Sequence, residues 1–171
     1  MKTIRRNVFE TNSSSCHSFT ISDERACNPA DYPKMHCNGD GEYGWSGPTV
    51  CTPEELLNYS AVAFGAMYVH EDWDFDEKEQ YHHTKYVIEK YDEYKEAIEN
   101  VVKYFKEHGV KLVFDYPTED GLFIPTGYID HQSGPREDSS CRRIANLWKD
   151  PEALFNFVFS KSEIEINNDN C

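Results

Sequence analysis

Basic residues are scarce in this chain, which has 17 lysines and arginines against 31 aspartates and glutamates, a formal net charge of -14. Nonspecific binding to duplex DNA needs lysine and arginine to displace counterions from phosphates, so this balance disfavours it. It also disfavours docking on an anionic membrane surface. The negative charge is compatible with binding to a basic partner, including an enzyme whose nucleic-acid channel is lined with lysine and arginine.

Long apolar runs and an export signal are also missing. The opening residues MKTIRRNVFE are basic, but they lack the apolar stretch that a signal peptide requires. No run approaches the roughly 20 apolar residues of a membrane span. We therefore expect a cytoplasmic protein that does not bind membranes.

The six cysteines form no CxxC motif. Without an export signal, reduced thiols are expected rather than disulfides. We expect no metal and no other cofactor, because the candidate zinc ligands match the spacing of no known finger or ribbon. Those candidates are Cys27, His36, Cys37 and Cys51 in one group and His70, His82 and His83 in another.

The order of the secondary-structure signals predicts a single α+β domain over residues 1–171, with a mixed or antiparallel sheet. Aromatic residues make up 14% of the chain, enough to fill a core. Residues 2–9 and 17–22 favour strands. Residues 23–52 are rich in glycine and proline and contain cysteines, which predicts a long irregular loop.

Helix signals follow this loop. Thr52 as N-cap, Pro53 at the first helical position and Glu55 at the third predict a buried helix that ends near residues 68–70. The acidic residues 71–79 are expected to lead into a longer helix, with His82 and His83 at its polar start. Gly109 is expected to end that helix.

The longer helix carries an apolar stripe that predicts a packing face within the molecule rather than a coiled coil. A homodimer, if one forms, is expected to use this helix. On its other face Glu99 precedes Lys103 by one turn, which favours an ion pair. The stripe consists of Val87, Tyr91, Tyr94, Ile98, Val101 and Phe105, spaced alternately by four and three residues.

Two or three shorter helices and further strands complete the prediction. Residues 110–116 and 122–133 are expected to be extended, and residues 140–148 to form a short amphipathic helix. Asp150 and Pro151 are the N-cap and first residue of another helix. Residues 162–166 alternate polar and apolar side chains, as a half-buried strand does.

Three polar clusters follow or end predicted strands: residues 11–18 (TNSSSCHS), 130–133 (DHQS) and 167–170 (NNDN). If the strands are neighbours, the clusters converge at one end of the sheet, where ligands tend to bind. Backbone N–H groups and hydroxyls in such loops can cradle phosphate. The residues expected to bind a small nucleotide-type ligand are Arg6, Thr11, Asn12, Ser13, Ser14, Ser15, His17, His131, Gln132, Ser133, Asn168 and Asp169.

Two other interpretations of these clusters remain open. In a small hydrolase or transferase, Ser14 or Ser15 is the candidate nucleophile, His17 or His131 its base and Asp130 or Asp169 the orienting acid. The chain has no G-x-S-x-G elbow to support that chemistry. Alternatively, threonine, asparagine and serine satisfy turns and caps through their side chains and have no further function.

The opening stretch RRNVFETNSSSCHSFTI resembles the N-terminal signature of a group of small proteins encoded by bacteriophages and prophages of Gram-positive bacteria. Members of that group commonly start with a variant of GVFETNSSSTHS. The stretch YIDHQS and the ending FNFVFSKSEIEINNDN also resemble the group's later part. This chain has Asn7 where the group often has glycine, and Cys16 where it often has threonine, which argues against an obligatory threonine hydroxyl there.

The resemblance implies a viral or mobile-element gene whose product works in the host cytoplasm, and it identifies no catalytic residue. Small acidic phage proteins are often accessory factors that disarm host defences. One expected mechanism is binding to a basic host protein, such as a CRISPR effector, through an acidic surface that includes residues 71–79. The other is capture of a small nucleotide in the polar pocket.

Overall fold

The computed structural model describes residues 15–44, 49–75, 81–115, 121–129, 135 and 139–168. The predicted α+β class is confirmed, the single domain of 1–171 stays a prediction, and the strand predicted at residues 2–9 lies outside the described residues. The helices are α1 (Pro53–Tyr68), α2 (Tyr91–Glu107), α3 (Ser140–Asn146) and α4 (Pro151–Val158). The strands are β1 (Ser15–Thr20), β2 (Lys34–Cys37), β3 (Glu42–Tyr43), β4 (Val69–Phe75), β5 (Tyr81–Ile88), β6 (Lys111–Phe114), β7 (Tyr128–Ile129) and β8 (Glu163–Asn168).

Helix α1 is the centre of the molecule and begins where the sequence predicts. The Thr52 hydroxyl accepts a hydrogen bond from the backbone N–H of Glu55 at 3.4 Å, and the Glu55 carboxylate accepts one from the N–H of Thr52 at 3.0 Å. This capping box satisfies two of the N–H groups that a helix start leaves without partners. Eleven of the 16 residues of α1 are buried, so the helix packs on all sides rather than along one stripe.

The described strands pair two by two around α1. β1 pairs with β8 and β4 with β5 in antiparallel fashion, whereas β2 pairs with β6 and β3 with β7 in parallel. β8 also exchanges two backbone hydrogen bonds with Val50 on its other side, through Ile164. The strands therefore form small separate ribbons that cover a central helix, rather than one continuous sheet.

Helix α2 uses the predicted stripe as a core face. Tyr94, Ile98, Val101 and Phe105 are buried, and each large apolar side chain of this kind stabilises the fold by roughly 1.5–3 kcal/mol when fully buried. Gly109 follows the helix with a φ of +82°, a conformation that glycine adopts without strain.

The described residues before α2 form two paired strands, so the predicted acidic helix entry is wrong for residues 71–75, as is the helical placement of His82 and His83. Residues 76–79 of that prediction lie outside the described residues. Residues 69–75 and 81–88 pair as β4 and β5. Val87, predicted as the first member of the helical stripe, lies in β5 with 39% of its surface exposed. Lys90 has a φ of 50°, a left-handed conformation that prevents the helix from extending towards the N-terminus.

The segment 23–52 contains more regular structure than the predicted irregular loop. In β2 the residues alternate between exposed and buried, and Met35 and Cys37 have no exposed surface. Their burial against β6 outweighs the turn-forming residues on both sides. One of those, Gly39, has a φ of +64°, and a Cβ there would lie 2.7 Å from the ring of Phe123. Glycine is therefore required at this turn.

The C-terminal half follows its sequence signals closely. The Asp150 carboxylate caps α4 by accepting a hydrogen bond from the N–H of Ala153 at 3.1 Å, with Pro151 in the first turn. Trp148 is fully buried, and its indole N–H donates to the Ser60 hydroxyl of α1 at 3.1 Å. Within the described ranges, no helix is long and apolar enough to cross a membrane.

Candidate functional site

Three of the predicted ligand-binding and catalytic residues fall within the described ranges. The side chain of His17 is described, and Ser15 and Asn168 are placed by the pairing of their strands. The other predicted residues lie outside the described residues and stay predictions. They are Arg6, Thr11, Asn12, Ser13, Ser14, Asp130, His131, Gln132, Ser133 and Asp169.

The pairing of β1 with β8 brings the first and third polar clusters together. Ser15 is opposite Asn168 and Cys16 is opposite Asn167 in the antiparallel register. Residues directly opposite in such a ribbon have Cα atoms roughly 4.5–5.5 Å apart. The serine-rich segment and the asparagine-rich ending are therefore neighbours at one end of this ribbon.

The strand that precedes the second cluster in the sequence, β7, is linked to the same region through β3. Tyr43 of β3 is opposite Ile129 of β7, and Ile129 directly precedes Asp130 in the sequence. The ring of Tyr43 lies edge-on against the ring of Tyr59, with the centroids 4.8 Å apart. The end of β7 therefore pairs with the strand whose Tyr43 side chain contacts Tyr59.

Tyr59 is the point at which these contacts meet. It lies on α1 with no exposed surface, and its hydroxyl is 2.8 Å from Nδ1 of His17. The half-buried His17 ring also packs against Tyr59 and Phe19, with centroids 5.8 and 6.4 Å apart. Because α1 is packed on all sides, Tyr59 fixes the orientation of the His17 ring at the end of β1. We refer to β1, β8 and the end of β7 around this side chain as the Tyr59 cluster.

The groups behind Tyr59 are neutral and do not act as nucleophiles. Burial raises the pKa of the Cys141 thiol to about 12, and its hydrogen bond with Tyr59 opposes that shift only in part. Burial also raises the pKa of Tyr59 well above its usual value. Cys141 is therefore a protonated thiol near neutral pH, and a thiol in this state is inert. The Tyr59 cluster can orient an imidazole and present polar groups at strand ends, which suits ligand binding.

The cysteines and histidines considered as zinc ligands lie in different environments. Cys37 is buried, which raises the pKa of its thiol, and Cys51 is exposed. His36 pairs with Asp115 at 3.2 Å, and His70 with Glu89 at 3.4 Å. Over the ranges that the structure covers, no three histidine, cysteine, aspartate or glutamate side chains are grouped as a metal site would require.

A cleft whose described lining shares no residue with the Tyr59 cluster was not predicted. It lies between α2, β6 and residues 121–123, and its volume is about 690 Å³, within the range of small-molecule sites. Lys95, Lys103 and Lys106 of α2 line it. They are spaced by eight and three residues and so share a helix face beside the apolar stripe, which is the sequence signal that could have revealed the cleft.

No protein-family model, no curated protein and no solved structure matches this chain. The two candidate sites therefore rest on the geometry of the chain itself.

Proposed function

We propose that the protein binds a small nucleotide-type ligand at the Tyr59 cluster, without a cofactor, as an accessory protein of a phage or mobile element. The observation that carries the proposal is the register of β1 and β8, which sets Ser15 opposite Asn168. A site formed from two strand ends and a loop supplies several backbone N–H groups and hydroxyls, which can hold phosphate oxygens without a positively charged side chain.

The bond between His17 and Tyr59 adds specificity to such a site. A phosphate or base contacting His17 meets a ring whose orientation is fixed by a 2.8 Å hydrogen bond to a buried hydroxyl. A pre-oriented ring loses less freedom when a ligand binds, which raises affinity. The region around Asp130 and His131, which follows β7 in the sequence, would supply further polar contacts.

Thermal unfolding with a panel of nucleotides tests the proposal. Nucleoside mono-, di- and triphosphates and cyclic dinucleotides are each added at millimolar concentration, and the melting temperature is recorded. A ligand present at 100 times its Kd stabilises the folded state by about 2.7 kcal/mol, which corresponds to a rise of roughly 5–10 °C for a protein of this size.

Matched asparagine variants locate the ligand. Asn168→Ala removes a predicted ligand residue, whereas Asn100→Ala removes an exposed asparagine of α2 that belongs to neither candidate site. We expect Asn168→Ala to reduce the nucleotide-induced rise and Asn100→Ala to preserve it. The proposal is wrong if no nucleotide raises the melting temperature, or if the two variants respond alike.

The hydrolase alternative is separated from binding by its products. Incubation with each stabilising nucleotide, followed by chromatography, reports whether any bond is cleaved. Turnover that Ser14→Ala and His131→Ala abolish, at an unchanged melting temperature, would favour the enzyme. An intact nucleotide favours the binding function.

The acidic-surface alternative makes a different use of the negative charge. A basic host protein, such as a CRISPR effector, would bind residues 71–79, of which Glu71–Phe75 belong to the β4–β5 ribbon rather than to a helix. Such a complex would dissociate as salt rises, because exposed charges are screened. This mechanism predicts no rise in melting temperature when nucleotides are added.

A further inference from the structure

The floor of the cleft beside α2 is apolar and partly aromatic. Phe114 of β6 stacks on the buried Phe123, with the ring centroids 4.3 Å apart and an interplanar angle of 24°. Phe114 itself is only half-buried, so this two-ring stack ends at the cleft. A planar ring can extend such a stack, and stacking of this kind contributes roughly 1–3 kcal/mol per base in nucleic-acid complexes. Aliphatic side chains complete the floor: Ile98, Val102, Leu112 and Leu122.

The rim of the cleft is positive although the protein as a whole is strongly negative. Among the described residues, three lysines and one glutamate line it, a formal charge of +2, against -14 for the chain. Glu99 is 3.9 Å from Lys95, so it pairs towards the N-terminal side of the helix, and the structure gives no ion pair of Glu99 with Lys103 among the described residues. Within the described part of the chain, Lys103 and Lys106 form no ion pair. Two ammonium groups are therefore available at this end of the cleft.

From the stacked floor and the lysine rim, we propose that this cleft is a second binding site, which takes an amphipathic anion. The ligand has an aromatic body that stacks on Phe114 and one phosphate-type head that Lys103 and Lys106 hold. Negative charge elsewhere on the protein repels such a head, so local charge complementarity selects the cleft. The site is separate from the Tyr59 cluster and does not depend on the nucleotide proposed there.

The helix dipole is an alternative explanation for the positions of two of the lysines. Lys103 and Lys106 lie in the last turns of α2, where a cation offsets the partial negative charge of the helix end. That role needs no apolar floor, and it does not extend to Lys95, which lies in the second turn of the helix and pairs with Glu99. The two roles have different readouts, because dipole compensation changes stability whereas ligand binding changes affinity.

Titration with 8-anilinonaphthalene-1-sulfonate, an aromatic anion that fluoresces in apolar sites, tests the proposal. We expect saturable binding of one dye per chain to protein that still unfolds cooperatively. Lys103→Ala with Lys106→Ala should weaken the dye about tenfold, as the loss of two exposed charged contacts would. The control is Lys34→Ala with Lys111→Ala: these exposed residues are opposite each other in β2 and β6, line no part of the cleft, and change the charge equally. That control should stay within twofold of the unmodified protein.

Competition identifies the ligand class. 1-Naphthyl phosphate should displace the dye, whereas inorganic phosphate at equal ionic strength should not. Val102→Glu, which adds a carboxylate to the floor, should abolish dye binding with an unchanged circular dichroism spectrum. The proposal is overturned if binding is not saturable, if the two double variants lose affinity equally, or if the aliphatic decyl phosphate competes better than 1-naphthyl phosphate.

Discussion

The Tyr59 cluster and the α2–β6 cleft would recognise an anion by opposite means. Around Tyr59 the neighbouring side chains include three rings and a protonated thiol, and a hydrogen bond to the buried Tyr59 hydroxyl orients the His17 imidazole. In the cleft, flexible ammonium groups surround an open apolar floor. Binding by fixed dipoles constrains the geometry of the ligand and depends little on salt. Binding by mobile charged side chains accepts anions of many shapes, and salt weakens it by screening. The first region is therefore suited to selective binding and the second to tolerant binding.

Removing a whole side chain from each region gives the largest expected contrast. Tyr59→Ala leaves a cavity beneath β1 and should lower the free energy of unfolding by about 3–5 kcal/mol. Val102→Ala in the half-buried floor of the cleft should lower it by about 1 kcal/mol or less. Urea denaturation measures both. Equal losses would contradict the view that Tyr59 lies in the rigid interior whereas Val102 lies at its edge.

Removing a single hydroxyl sharpens the same contrast. Tyr59→Phe keeps the ring but leaves Nδ1 of His17 without its hydroxyl partner, which should cost about 1–2 kcal/mol. Tyr91 lines the cleft and is 40% exposed, so Tyr91→Phe should change the free energy of unfolding by less than about 0.5 kcal/mol. Urea midpoints, compared at an unchanged dependence of unfolding free energy on urea, measure both changes. If Tyr59→Phe leaves the stability unchanged, the hydrogen bond does not orient His17.

Ionic strength separates the two modes of binding. Raising the salt from 50 to 500 mM should weaken dye binding in the cleft roughly threefold, because two exposed ammonium groups are screened. Nucleotide binding at the Tyr59 cluster should change less than twofold. Both affinities come from titrations at fixed pH, and a nucleotide affinity that falls as steeply as that of the dye would place its phosphate near lysines.

The smallest expected effect concerns a contact that joins the helices carrying the two regions. Glu93 of α2 accepts a hydrogen bond from the hydroxyl of Tyr68 on α1 at 2.5 Å and another from Lys149 at 2.8 Å. Hydrogen bonding to Lys149, and then to Tyr68, lowers the pKa of Glu93 from 4.5 to about 2. A carboxyl group whose pKa is lowered by folding stabilises the folded state at pH values above its pKa in the unfolded chain. That contribution is lost as the pH falls from about 4.5 towards 2.

Glu93→Gln removes this pH dependence. Because the carboxylate is largely exposed, the expected loss at neutral pH is only a few tenths of a kcal/mol, about 1 °C in melting temperature. The variant and the unmodified protein should converge in stability as the pH falls towards 2. A difference that persists there would mean that the packing of the side chain, rather than its charge, joins the two helices.

The sequence predicts those elements whose signals lie within a few residues. The capping box of Thr52 and Glu55, the Asp150–Pro151 helix start and the Gly109 stop are each complete within one helical turn, so no distant contact is needed to interpret them. The β4–β5 hairpin was missed because its acidic residues resemble the first turn of a helix. Its strand pairing and the left-handed Lys90 outweighed that local signal.

The candidate sites were harder to predict because distant segments form them. The pairing of β1 with β8 follows from tertiary packing. No local pattern in the sequence encodes the register that sets Ser15 opposite Asn168. Tyr59 was missed as the shared contact because it was one apolar residue among many in α1. The cleft requires both the spacing of three lysines on α2 and the position of β6 beneath them, and only the spacing is visible in the sequence.

The antiparallel pairing of β1 and β8 also has a consequence for protein engineering. Residues 15 and 168 are directly opposite each other, so a flexible linker between the two ends of the chain can close the backbone beside this pair while every residue is kept. The backbone would then be a closed ring that could be reopened in a surface loop elsewhere. A permuted chain of this kind is expected to retain its fold, since it preserves every described strand pairing and helix.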